Sequence, residues 1–286
     1  MIRLDAATVL LQWATGGLLF LWVTTRRREV GIGYGWLLRA VYGVLAVGAA
    51  AAGLVVDPVP VRDAASLGVA AAAAGALAVS VVRRKAGVAG ERARQERKAS
   101  RVATMAGKDA PAGGPAALAP VPPEFPPALD IVAPLIGLVG LIAAGIAAGG
   151  PDALAVARTL AGALFLGAVS DAMLLGHWYL VQPGLGRGPL LELNRWLALT
   201  WPLEVGLLLW PTGMLSVLSG SVDDGWNGTL GWFWVACAVT TLILTVVTKA
   251  ALKERAYSAV MAATGLLYLA ILTAFGTDLV ARAVLA

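Results

Sequence analysis

Long apolar runs separated by short polar or basic connections fill almost the whole chain. Their ends mark eight candidate spans, at about 5–25, 36–56, 63–82, 130–149, 153–181, 190–218, 227–249 and 256–284. Runs near or above ~18 residues are long enough to cross a bilayer as helices. Hydrocarbon offers backbone groups no partner, so only helices and closed barrels cross it. These runs are too long and too continuous for barrel strands, which alternate in and out over ~10 residues. The pattern predicts an all-α, polytopic integral membrane protein with about eight transmembrane helices.

Composition leaves little else. Of 286 residues, 59% are hydrophobic and 14% charged, against ~25% charged in a soluble domain. The chain divides into a three-helix membrane segment (1–82), a basic and Pro-rich linker (83–129) and a five-helix membrane segment (130–286). The linker's first part, Arg83 to Arg101, is charged and helix-permissive and reads as an extension of the third span. Beyond it, Pro111, Pro115, Pro120, Pro122, Pro123, Pro126 and Pro127 oppose regular structure, so the linker is expected to be largely disordered. Arg26-Arg27-Arg28 behind the first span reads as a stop-transfer signal rather than the end of a cleaved leader.

Charge then orients the bundle. Eighteen of the 22 Lys and Arg residues fall on one side of the alternating spans, and only Arg3, Arg62, Arg158 and Arg282 on the other, where Asp5, Asp57, Asp63, Asp152, Asp223, Asp224 and Asp278 gather. Basic loops mark the cytoplasmic side. Both termini are therefore expected outside and the linker in the cytoplasm. The expected location is a cell membrane, of the bacterial inner or plasma-membrane kind. The basic linker can attract anionic lipid headgroups, or serve as ordinary topological anchoring. The same asymmetry accounts for the net charge of +5 without a nucleic-acid partner.

Candidate chemistry reduces to a few polar residues in apolar surroundings. Asp171 and Glu204 lie inside the fifth and sixth spans, where a charge costs at least ~2.5 kcal/mol and marks a functional candidate. Asp171 stands 11 residues before Gln182 and Glu204 stands 13 after Leu191. At ~1.5 Å per residue both then lie roughly 16–20 Å from the cytoplasmic boundary. A short connection makes the two helices neighbours, so the carboxyls are expected at a common level, paired or flanking one cavity and able to hold a proton. The structural alternative is that each bonds to Ser170, Thr200 or a carbonyl freed by Pro202. His177, five residues before Gln182, is placed to accept protons or meet a quinone carbonyl, or simply to sit in an interfacial aromatic belt with Trp178 and Tyr179. The Gly-rich loop from Gln182 to Asn194 is expected to cap a pocket at headgroup level. Asp278 and Arg282, four apart near the end of the last span, read as a surface ion pair. Gln12, Tyr268 and Thr273 read as interhelical glue, and Gly16-Gly17 and Gly145-xxx-Gly149 as close-packing sites.

One Cys (Cys237) and one His exclude an internal disulfide, a multi-Cys metal site and a bis-histidine haem within the chain. No cofactor is expected covalently or through protein ligands, and a quinone is the candidate non-covalent ligand. The chain carries no motif of an enzyme acting alone. The leading expectation is a membrane subunit that handles protons and a lipophilic redox ligand near the fifth and sixth spans, with electrons supplied by a partner subunit. The alternatives are a proton-coupled permease for a small solute and a non-catalytic assembly or scaffold protein.

Overall fold

A computed structural model describes residues 4–105, 123–182, 184–211 and 213–286. All regular structure among them is helical: α1 (Ala6–Thr25), α2 (Ile32–Val56), α3 (Pro60–Val82), α4 (Ala89–Met105), α5 (Val132–Ala147), α6 (Asp152–Val181), α7 (Gly188–Leu209), α8 (Met214–Leu218), α9 (Thr229–Lys253) and α10 (Tyr257–Val284). Two 3-10 turns, Arg84–Ala86 and Pro127–Ile131, flank the linker. Seven of the helical stretches are long and apolar enough to cross a membrane, which marks a multi-pass membrane protein.

The sixth expected span is the exception. The run 190–218 is not one helix, because it is interrupted after Leu209 and resumes only as the short α8. The α7 part is long enough but carries Glu192, Arg195 and Glu204. It nevertheless runs the depth of the bundle. At its start Arg187 donates to the carbonyls of Leu252 and Ala256, at 3.1 and 2.9 Å, where α9 turns into α10. At its end the carbonyls of Leu207 and Trp210 accept from Arg158, near the start of α6, at 2.8 and 3.2 Å. The long helices thus lie between a basic face, holding the α1–α2, α6–α7 and α9–α10 connections, and an opposite face, holding the α2–α3 and α5–α6 turns.

The central element is α6, which packs on α1, α5, α7 and α10 and buries Phe165, Leu166, Ala168, Val169 and Ala172. Its closest neighbour is α1. A side chain at Gly16 would run into the backbone at Ala163 and Gly167, and one at Gly167 into Gly16, so the two backbones touch as small residues allow. Of the other expected close-packing pair, Gly145 does meet Val156 of α6, while Gly149 lies past the end of α5 with φ +77 and makes a turn. Large side chains on the outer surface, among them Val44, Leu54, Leu135, Ile243, Val246 and Leu272, face where lipid would lie.

The start of the linker is helical, as its charged, helix-permissive sequence predicts, but α4 does not extend α3. The 3-10 turn and Gly87, at φ +61, break the chain between them. The Gly90 amide then bonds to the Arg28 carbonyl at 3.0 Å, and Glu124 pairs with both Arg28 and Arg92. Pro111, Pro115, Pro120 and Pro122 lie outside the described residues. Arg39 of α2, one of the eighteen bases on this side, is buried inside the basic face. It grips Asp130 with two bonds of 2.7 and 2.8 Å, and Thr25 donates to the same carboxylate at 2.9 Å.

Candidate functional site

Asp171 and Glu204 are both fully buried, but they do not form a pair. Measured along their helices at ~1.5 Å per residue, Asp171 sits about 15 Å from the α6–α7 turn and Glu204 about 24 Å. The difference arises because α7 begins at Gly188 and ends at Leu209, which moves Glu204 towards the opposite face. Their partners also diverge. Since α6 packs on α1, α5 and α10 as well as α7, a buried residue on it need not point at α7.

Asp171 turns towards α2. Its Oδ1 accepts a short hydrogen bond from the Tyr42 hydroxyl, and its backbone carbonyl accepts from Tyr34 at 3.4 Å. Tyr42 reaches it across α1 at Gly17, whose missing side chain leaves room for the phenol ring. Among the described residues Oδ2 of Asp171 has no hydrogen-bond partner. Ser170, beside it, accepts from the Trp13 indole at 2.8 Å and so ties α6 to α1.

Glu204 belongs to a larger network near the opposite face. The buried stripe of α7 runs Leu190, Leu193, Leu197, Thr200, Glu204, Leu208, a helical spacing that aims Glu204 into the bundle. Around it stand Asp278 and Arg282 of α10 and Arg158 of α6. Neither Glu204 oxygen meets an N–H or hydroxyl donor among the described residues, and the Asp278 carboxyl lies close enough to share a proton with it. Asp278 and Arg282, expected as a surface pair, are 0% and 1% exposed and bonded at 2.7 Å. They face inward because α10 turns that side to α6. The empty position at Gly162 of α6 makes space for them: a Cβ there would lie 2.6 Å from Gln12 Nε2, 2.8 Å from Asp278 Oδ1 and 3.3 Å from Arg282 Nη2. Gln12 in turn donates to the Thr159 carbonyl at 2.6 Å, which makes it glue between α1 and α6 as expected.

The network continues to the surface. Arg282 and Asp5 line one cleft; Asp5 bonds Arg62 at 2.5 Å, and Arg62 holds Asp63 at 2.8 Å and the Asp57 carbonyl at 2.6 Å. The cleft, of about 20 Å³, is also lined by Thr8, Arg62 and Thr159; that is room for about one water. Among the described residues, four carboxyls (Asp5, Asp63, Glu204, Asp278) therefore share this region with three guanidiniums (Arg62, Arg158, Arg282).

The remaining sequence candidates fall elsewhere. His177 is exposed on the side of the bundle, with Nδ1 3.2 Å from the Tyr268 hydroxyl. Gln182 is a latch: its Oε1 accepts from the Trp178 indole at 2.8 Å and from the Gly31 amide at 3.1 Å. Thr200 bonds back to the carbonyls of Trp196 and Leu197, at 3.0 and 3.3 Å, one turn before Pro202. Asn194 donates to the Thr245 carbonyl at 3.1 Å and joins α7 to α9. Thr273 meets Thr241 at 2.7 Å and joins α10 to α9. The Gly-rich loop is fastened by the Tyr179–Gly186 bond and by Arg187. The residues that sequence reasoning missed as site members are Tyr42, Arg62 and Arg158. The spacing of Asp278 and Arg282 was visible in the sequence, but the direction in which they face was not.

Comparison with protein-family models, with curated proteins and with solved structures finds no match. The fold itself defines the class: an all-α, multi-pass membrane protein whose described residues bury carboxyls at three separate places, Asp130, Asp171 and the region of Asp63, Glu204 and Asp278.

Proposed function

We propose that this chain is a proton-handling membrane protein in which the Glu204–Asp278–Arg282–Arg158 network takes up and releases one proton. The observation that carries the reading is the mismatch, among the described residues, of four carboxyls and three guanidiniums around a buried Glu204 that lies against another carboxyl, Asp278. A fully ionised network would leave one uncompensated negative charge in the bundle, which is costly. One proton, on Glu204 or shared with Asp278, balances the set, and the cleft that reaches Arg282 supports an exit for that proton through the Asp278–Arg282 pair. A cleft that admits one water suits a proton better than a solute, which favours a proton-handling subunit over a solute permease. The charge asymmetry of the loops supports placing the opposite face, and so the proton exchange, outside, with the linker in the cytoplasm and α7 as an eighth crossing.

A redox role is the second reading, favoured by His177 and Tyr268. The two stand hydrogen-bonded on the surface of the bundle, where a quinone carbonyl in the lipid would find a donor. Electrons would then come from a partner subunit. Tyr268→Phe tests it: loss of quinone-dependent protection of His177 from chemical modification supports it, and an unchanged protection rejects it.

Infrared difference spectroscopy tests the main reading. The protein is expected to show a protonated-carboxyl band that shifts promptly in D₂O and vanishes in Glu204→Gln. In Asp171→Asn the prompt component stays, since Asp171 is sealed among α1, α2 and α6. A Glu204→Gln protein that keeps the promptly exchanging band removes the assignment.

A further inference from the structure

The basic face carries a second feature that the proton network does not use. A groove of about 480 Å³ opens beside the first turns of α7, lined by Arg27, Leu191, Glu192, Arg195, Trp196 and Leu199. We infer that it binds an anionic phospholipid, with the phosphate held by Arg27 and Arg195 and an acyl chain laid along α7. The inference rests on the multi-pass fold and is independent of the proton network.

Charge complementarity argues for the headgroup. Glu192 alone pairs with two arginines, Arg26 at 2.5 Å and Arg27 at 3.1 Å. Both guanidiniums stay partly open, at 36% and 48% exposure, while the carboxylate is only 15% exposed. Arg195, one turn further along α7, is exposed as well. Three positive charges thus surround one negative charge, and the surplus faces outward at the end of the bundle where headgroups would lie. The carboxylate spaces the guanidiniums before any ligand arrives, and guanidiniums suit phosphate oxygens.

The wall below is apolar. Trp196, Leu199 and Leu203 are 38%, 54% and 46% exposed and recur on one side of α7 at three- and four-residue spacing. Trp196 is held in place by Phe20 of α1, with ring centroids 5.9 Å apart. Arg26 is likewise fixed over the Trp22 ring at 5.4 Å. A cationic rim above a continuous apolar stripe matches an amphiphile with an anionic head. A free phosphate ion would use the rim and leave the stripe bare.

The test uses the full chain in detergent micelles, titrated with brominated phosphatidylglycerol or brominated phosphatidylcholine. The part of the tryptophan quenching that disappears in Trp196→Phe reports the groove. Phosphatidylglycerol should quench it at roughly 10- to 30-fold lower lipid than phosphatidylcholine, and Arg27→Gln/Arg195→Gln should erase that difference, since each base near the surface contributes about a fivefold preference. Arg195→Gln alone should halve the preference on a logarithmic scale, and it decides the matter if the double variant does not insert. Inorganic phosphate should displace the lipid no better than chloride at equal ionic strength. Equal quenching by the two lipids, a preference untouched by the substitutions, or specific displacement by inorganic phosphate would each overturn the site.

Discussion

Glu204 and Asp171 show how differently two buried acids can be housed. Asp171 is met by a phenol and no guanidinium, so it suits a neutral acid that fastens α2 to α6. Glu204 stands among arginines and another carboxyl, where its proton matters to the balance of the whole set. The ion pair beside it carries its own prediction. Removing one member of a buried pair leaves an uncompensated charge and typically costs about 3–5 kcal/mol, whereas replacing both can be neutral. Arg282→Leu should therefore lower the unfolding temperature in detergent sharply, and Asp278→Leu/Arg282→Leu should recover most of the loss. A single variant as stable as the parent would mean that water reaches Asp278.

At the scale of elements, packing depends on where side chains are missing. Gly167→Val should prevent α1 and α6 from touching and yield protein that elutes as aggregate in size-exclusion chromatography. Gly75→Val on α3, where nothing lies within 4 Å, should elute as the parent does. The start of α9 is organised by a carboxylate instead. Slight desolvation acts to raise the Asp224 carboxyl, but the backbone N–H groups of Trp226, Gly228, Gly231 and Leu230 outweigh it and hold it below its ordinary range. A depressed carboxyl stabilises the loop in full above the unfolded value, about 3.9, and loses that contribution as pH falls through the folded one. Amide exchange at 225–231 should stay slow down to about pH 4 and accelerate below it. In Asp224→Ala it should be fast at every pH, and no difference between the two proteins would exclude this role.

For the whole molecule the decisive number is the parity of crossings. Seven helices meet the length and apolarity of a span, and α7 reaches from one face to the other on its contacts. If α7 crosses, the crossings are even and both termini lie on the same side. Reporter fusions at Ala286 and before Asp5 should then report one compartment, opposite to a reporter placed near Lys108 in the linker. Termini on opposite sides would leave α7 out of the membrane.

The class of fold was legible from the sequence because membrane crossing is set by length and apolarity, which are properties of a segment read one residue at a time. Buried Gln12 and close-packed Gly16 were legible for the same reason: a polar or missing side chain in an apolar run has few places to go. The grouping of Asp278, Arg282, Arg158 and Glu204 was not, since it depends on the rotation of three helices about their axes, and an almost uniformly apolar helix does not record which side faces a neighbour. The spacing of Asp278 and Arg282 fits a lipid-facing, a surface or a buried pair equally well, and the stripe of α7 carries no sign of what it meets. Only tertiary packing, through the space left at Gly162 and Gly17, decided which acid found arginines and which found a tyrosine.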